Sequence, residues 1–226
     1  MTRRFRSDVP VPESVLTDLL DLAGRAPSAG FSQGWDYVVL HTPQHREAFW
    51  AAATPAEARA NGRWLAGVRA APVLILAYAD AAAYRARYAE PDKARATGGA
   101  QDWPVPYWLT DTAMGVMILL LGARDAGLGA LFFGVPAAGH EPVRTAFDVP
   151  PGRLLVGVIA LGTEERRVGG SARRRPRREV ADFTHWGAFG VPRPGSTAPV
   201  SDNADQTGPA ADGDASRQPA PHHPGR

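Results

Sequence analysis

Apolar and polar positions along the first part of the chain switch between two periods. From Pro12 to Arg25, Val15, Leu19, Leu20 and Leu22 recur at helical spacing, and the pattern stops at Ala26-Pro27, where a proline disfavours helical geometry in the residue before it. Ser28 to Gly34 predicts a loop. Trp35 to Leu40 is rich in β-branched and aromatic residues and predicts a strand. His45 to Ala53 and Pro55 to Ala70 predict helices, Val73 to Tyr78 a short apolar strand, and Ala81 to Ala89 another helix. Lys93 to Pro106 is polar and carries Gly and Pro, the composition of a mobile surface loop.

Tyr107 to Ala126 differs from the other helical stretches because Met114, Val116, Met117, Ile118, Leu119, Leu120 and Leu121 surround it instead of forming a stripe. A helix that is apolar all round is expected to be covered on every side. Gly127 and Gly129 end it, Ala130 to Val135 predicts a strand, Glu141 to Phe147 a short helix, and Leu154 to Leu161 a last strand. Two helices buried against a few non-consecutive strands predict an α+β layered domain over residues 1–190. From Val191 to Arg226 the chain turns to Pro, Gly, Ala, Ser and Asp and cannot bury enough apolar surface to offset its ordering entropy, so a disordered tail is expected there.

Composition narrows the chemistry. With 226 residues, 44% of them hydrophobic, one well-buried core is the default expectation. The absence of cysteine excludes disulfides, thiolate metal sites and thiol nucleophiles. His222-His223 lies in the tail without preorganised partners, so no metal site is expected. The basic start Met1-Thr2-Arg3-Arg4-Phe5-Arg6 is not followed by an apolar segment, which makes a secretory signal unexpected and a cytoplasmic location the default. The longest apolar run, Ala113 to Gly122, stops at Arg124-Asp125, short of the roughly 20 residues that span a membrane.

Two constellations carry candidate chemistry. The segment from Ala26 to Trp35 joins a helix to a strand with small residues and the hydroxyl and amide side chains of Ser28, Ser32 and Gln33. Such a loop brings backbone N–H groups close to a planar polar ligand, or it is a plain turn. The second is Arg173-Arg174-Arg175-Pro176-Arg177-Arg178, an anion site or a solvated basic turn. Lys93 is the only lysine among 25 basic residues, so the positive charge is nearly all guanidinium, which grips oxyanions with two prongs. Nucleic acid is not the expected partner, since the net charge is only +2 and no aromatic-studded basic strand accompanies the run. Arg3, Arg4 and Arg6 form a second basic cluster at the other end of the chain.

Taken in order, Arg3-Arg4-Phe5, Val11-Pro12-Glu13, the block from Ala26 to Trp35, Pro106-Tyr107-Trp108 before the apolar helix, Ala126-Gly127-Leu128-Gly129-Ala130, Leu161-Gly162 and Arg173-Arg174-Arg175-Pro176 resemble the nitroreductase family. The resemblance runs from Thr2 to Trp186, and its specificity lies in the ordered set. It implies a central mixed sheet flanked by helices in an interlocked homodimer, with flavin mononucleotide (FMN) in two equivalent clefts between subunits. Carried over by position, Pro27, Ser28, Ala29, Gly30, Ser32 and Gln33 would line the flavin ring, and Phe132, Phe133 and Gly134 would approach it. Arg174, Arg175, Arg3 and Arg4 would bind the phosphate. Phe31 stands where the family often has Asn, and Phe31, Trp103, Tyr107 and Trp108 are the candidate contacts for a planar substrate. NAD(P)H, or the deazaflavin F420, would reduce the flavin, and a nitroaromatic or quinone would reoxidise it, with no side chain needed as a catalytic acid. A flavin-sequestering protein without turnover is the alternative.

Overall fold

The computed structural model describes residues 1–54, 63–97, 103–165 and 175–195. Residues 1–169 and 170–226 form separate units. In the first, the chain runs through α1 (Glu13–Gly24), β1 (Trp35–Leu40), α2 (Pro43–Ala53), α3 (Arg63–Arg69), β2 (Val73–Asp80), α4 (Ala81–Ala89), α5 (Pro91–Thr97), α6 (Tyr107–Asp125), β3 (Gly129–Phe133), α7 (Ala137–Ala146) and β4 (Arg153–Gly162). The fold is α+β, as its sequence pattern predicts.

The strands lie in the order β1-β2-β4-β3. Trp35 faces Ala79 across β1 and β2, Val73 faces Leu161 across β2 and β4, and Gly129 faces Gly162 across β3 and β4. Each of these pairings is antiparallel, so the expected mixed sheet is corrected to an antiparallel one among the described residues. Strand direction is set by the connections between strands, which leave little trace in hydrophobic periodicity.

β2 is buried from Val73 to Ala79, which is why it reads as a continuous apolar run instead of alternating. Its even-numbered residues Leu74, Leu76 and Tyr78 pack with Phe49 and Trp50 of α2, Val68 of α3 and Val143 of α7. Its odd-numbered residues Val73, Ile75 and Ala77 pack with Leu19 of α1 and Val116 and Leu119 of α6. The sheet therefore separates two apolar layers.

Among the described residues of the first unit, α6 is not covered on every side. Thr112, Gly115, Val116, Leu119 and Ala123 face inward, whereas Met114, Met117 and Leu121 remain 45%, 51% and 59% exposed. Gly115 allows α6 to approach its neighbours closely: a Cβ there would lie 2.4 Å from the Tyr37 hydroxyl and 3.2 Å from the Ala23 carbonyl oxygen. Gly115→Ala is expected to force these elements apart and cost about 1–3 kcal/mol by overpacking. A urea melt showing parent-like stability would contradict that packing.

Ahead of α1, an N-terminal arm crosses the end of the sheet where β3 begins and β4 finishes. Thr2 donates its N–H to the Ala130 carbonyl, Phe5 to Gly67 and Arg6 to Thr163. The Phe5 ring is buried at 2% exposure. In the second unit, Glu179 and Asp182 form a capping box around a short 3-10 turn, Val180–Asp182, and the Thr184 hydroxyl donates to the Val180 carbonyl at 2.7 Å. Val191 to Gly195, the start of the expected tail, is exposed. The remainder of the tail lies outside the described residues.

Candidate functional site

The loop after α1 is a short 3-10 turn, Ala29–Phe31, with three departures from ordinary backbone within four residues: Gly30, Phe31 and Gln33 have φ of 66°, 58° and 50°. Gly30 adopts the left-handed region without penalty, but Phe31 and Gln33 do so at about 1–2 kcal/mol each. Local hydrogen bonds hold the turn. Ser32 Oγ donates to the Ala29 carbonyl at 2.6 Å, Phe31 N–H to the Ser28 carbonyl at 2.9 Å, and Gln33 N–H to Ser28 Oγ at 3.0 Å. The Phe31 side chain is 73% exposed. The Gly30 N–H and the Gln33 carboxamide make no hydrogen bond among the described residues, so the loop carries unused polar groups.

Neighbouring helices brace the loop from two sides. From α6, Asp111 Oδ2 accepts the Ala29 N–H at 2.8 Å and the Tyr84 hydroxyl at 2.8 Å. Asp111 and Tyr84 are both buried. Burial, reinforced by the hydrogen bond to Asp111, pushes the Tyr84 phenol well above its usual range and keeps it a donor. From α4, Arg87 Nε donates to the Gly30 carbonyl at 2.9 Å while its other nitrogens pair with Glu90 and Asp92 at 2.9 and 2.7 Å. The hydrogen bond from Arg87 holds the Asp92 carboxyl down at about 2. A Cβ at Gly34 would lie 2.5 Å from the Tyr84 ring and 2.8 Å from the Asp80 carbonyl oxygen, so only glycine lets the chain enter β1 so close to α4.

Beside the loop stands a series of edge-to-face rings. Tyr84 and Trp108 lie 6.3 Å apart, Trp108 and Trp103 6.0 Å, and Trp103 and Tyr88 5.1 Å. Arg85 sits over Trp108 at 5.8 Å and Lys93 over Tyr88 at 5.7 Å. A Cβ at Gly30 would lie 2.8 Å from the Tyr88 ring, which places this series against the loop. Two of the candidate substrate contacts, Trp103 and Trp108, therefore share this wall, and Tyr107 is half-buried at the first residue of α6. Tyr84, Tyr88, Arg87 and Asp111 carry the local framework although sequence reasoning assigned them no part in the site. Asp111 is the fifth residue of α6, beyond its first turn, and bonds to another segment.

The remaining candidates are distributed elsewhere. Arg3 and Arg4 are half-buried on the N-terminal arm, where Arg4 Nε approaches Glu165 at 3.3 Å. The arm is fastened near Ala130 and Thr163, where Val73 faces Leu161, whereas the loop sits near Asp80, where β2 ends. The two groups are thus separated by the length of β2, about 20 Å at roughly 3.3 Å per residue. Phe132 and Phe133 alternate across the sheet. Phe132 packs on the layer of α1 and α6, while the Phe133 ring stacks on Trp50 at 5.7 Å and meets Trp64 edge-on at 5.9 Å in the other layer. Only the backbone of Phe133 is left to approach the loop's side of the sheet. Gly134 is exposed. Arg175 is exposed in the second unit, and Arg174 lies outside the described residues.

The nitroreductase family model matches residues 1–163. The chain belongs to the nitroreductase family. A Thermus thermophilus NADH dehydrogenase is 32% identical over 180 residues, covering 71% of this chain and 80% of that protein. Nitroreductase CinD of Lactococcus lactis, solved with nicotinic acid, superimposes with a TM-score of 0.67 at 19% identity over 83% of this chain and 95% of that one. An Exiguobacterium sibiricum protein solved in complex with FMN superimposes with a TM-score of 0.62 at 19% identity, covering 82% and 91%. In this nitroreductase-family chain, no group of His, Asp or Glu among the described residues could hold a metal ion, and no described helix is long and apolar enough to cross a membrane.

Proposed function

We infer that the protein is an FMN-dependent oxidoreductase that takes reducing equivalents from NAD(P)H or a reduced deazaflavin and delivers them to a planar acceptor such as a quinone or nitroaromatic. The observation that carries this reading is the braced loop from Ser28 to Gln33, with the Gly30 N–H and the Gln33 carboxamide unused among the described residues and an aromatic wall alongside. Such a loop fits the edge of a flavin, which requires polar partners in fixed positions. FMN supplies the two-electron chemistry. The protein's part is to hold the ring, exclude water and offer stacking surface to the acceptor. Membership of the nitroreductase family, the name of the Thermus relative and the FMN in the Exiguobacterium structure support the same reading.

Two copies of the chain are part of this proposal. Arg3 and Arg4 lie at the opposite end of the sheet from the loop, so one FMN reached by both groups requires the loop of one subunit and the arm of another. The open flank of α6 supplies a surface for that association. Beside it lies a groove of about 290 Å³ lined in part by Met1, Met117, Leu120, Leu121 and Leu128.

The first measurement is the visible spectrum of the purified protein, expected to show bound flavin that bleaches with NADH, NADPH or reduced F420 and recovers with menadione. Flavin that neither reductant nor acceptor perturbs would make the protein a sequestering one. Arg174→Ala is expected to weaken FMN binding about 10- to 150-fold, because a hydrogen bond to a charged group contributes roughly 1.5–3 kcal/mol. Arg177→Ala is expected to change it little. Fluorescence titration of the apoprotein compares them, and a reversed order would shift the assigned register of the arginine run.

A further inference from the structure

Asp111 is out of place by composition. It is a carboxylate at 4% exposure in a helix whose other charges, Arg124 and Asp125, stand at its exposed end, and packing alone would be served by a leucine. Its Oδ2 gathers two donors from separate parts of the chain, the Ala29 N–H of the loop and the Tyr84 hydroxyl of α4, while Thr110 Oγ1 donates to Oδ1 at 3.1 Å. Resting on the FMN reading above, we propose that Asp111, supported by Tyr84, is the positioning residue of the cofactor loop. It fixes Ala29 so that the left-handed turns at Gly30, Phe31 and Gln33 hold the Gly30 N–H and the Gln33 carboxamide in one arrangement before the ligand arrives.

The physical reason is preorganisation. The turn contains two non-glycine residues in a disfavoured region and is free to relax unless its start is anchored. A loop that relaxes must be reordered on binding, and that cost appears as lost affinity. Asp111 anchors the first residue of the turn from beneath, and Tyr84, wholly buried, holds the carboxylate in its rotamer.

The arrangement also says which substitution is tolerated. An asparagine oxygen in the place of Oδ2 can accept both donors, and its NH2 would then donate to Thr110 Oγ1, which accepts it by turning its own proton from Oδ1 to the Tyr107 carbonyl at 3.0 Å. Asp111→Asn thus preserves the anchor without its charge, whereas Asp111→Ala removes it. In fluorescence titrations of apoprotein, Asp111→Ala is expected to weaken FMN binding by about 10-fold or more, and Asp111→Asn to stay within about 3-fold of the parent. In the flavin-free protein, amide hydrogen exchange across Ala29–Gln33 is expected to accelerate in Asp111→Ala and remain parent-like in Asp111→Asn. Val143→Ala, a cavity in the other layer, controls for general destabilisation and is expected to leave that exchange unchanged. If Asp111→Ala does not fold, Tyr84→Phe, which removes one donor at nearly constant volume, is expected to accelerate the same amides and weaken FMN about 3-fold or more.

A folded Asp111→Ala protein with parent-like exchange at Ala29–Gln33 overturns the proposal, as does an Asp111→Asn protein as impaired as the alanine variant. A Tyr84→Phe protein that matches the parent in both measurements, where it stands in for the alanine variant, does the same. Should the parent itself take up no FMN, the FMN reading falls, while the exchange comparison still decides the role of Asp111.

Discussion

Replacing Met117 and Leu121 together by glutamate is expected to convert a dimer into a monomer that no longer retains flavin. Both side chains stand on the flank of α6 that the described residues of the first unit leave open. Burying a large aliphatic side chain contributes about 1.5–3 kcal/mol. In a two-fold interface each substitution removes two such contacts. Because about half of each side chain is already covered within its own chain, the combined loss is at least about 3 kcal/mol, raising the dissociation constant roughly 100-fold before the repulsion of the new carboxylates is counted. Light scattering at micromolar concentration checks it: the parent is expected at twice the 24.1 kDa chain mass, and the double variant at the chain mass. A flavin-loaded monomeric parent would remove the need for a second subunit. A double variant that remains dimeric would place the contact on another face.

Phe5→Ala is expected to lower stability by about 3–5 kcal/mol, the usual consequence of emptying a fully buried aromatic site. Phe5 fills the end of the layer that contains Val68 and Leu74, and its neighbours in sequence hold the arm to Gly67 and Thr163. For a domain of this size the corresponding fall in Tm is roughly 6–20 °C. Arg3→Ala serves as the contrast. It removes a half-buried cation whose side chain is not part of either core and is expected to change the melt by no more than about 0.5 kcal/mol. A Phe5→Ala protein that melts with the parent would mean that the arm contributes nothing to the core, and Arg3 and Arg4 would then lose their place as phosphate ligands.

Much of the fold was legible because periodicity reports burial. The strand Trp35–Leu40 and the helix Ala81–Ala89 appear with the boundaries their composition predicts, and the apolar stretch from Tyr107 ends within a residue of its predicted limit. Other elements were obscured by proline. α7 begins at Ala137 rather than Glu141 and contains Pro142, and α5 occupies Pro91–Thr97 where polar composition suggested a loop from Lys93 onward. Pro91 opens α5, where a proline is compatible with a helix but in a short polar stretch reads equally well as a break, and Pro142 lies inside α7, where a proline ordinarily argues against a helix running through it. The open flank of α6 could not be separated from a fully enclosed helix, since its sequence records only that water is to be avoided and not which chain provides the cover.

The candidate site was partly legible for a similar reason. Small and hydroxyl residues from Ser28 to Gln33 advertise a tight turn, but its bracing comes from side chains distant in sequence. The signal available for Asp111 was a charge ahead of the apolar body of its helix, but a carboxylate near a helix start is equally well a partner of the helix dipole. Phe132 and Phe133 illustrate the complementary limit. Adjacent residues of a strand face opposite layers, so at most one of two neighbouring rings can serve a site on a given face.

The fastening of the N-terminal arm has a consequence for biosynthesis. Thr2, Phe5 and Arg6 are made well before the residues that hold them, Ala130, Gly67 and Thr163, while β2 acquires its second neighbour only when residues 153–161 have been made. Hydrogen-bonded partners this far apart in sequence close slowly, because a long loop must be ordered before its ends are rewarded. A nascent chain halted before β4 would carry an unpaired β2 edge without a charge from Val73 to Ala79, the kind of surface that associates with other chains. Translation must therefore run almost to the end of the first unit before its sheet can form.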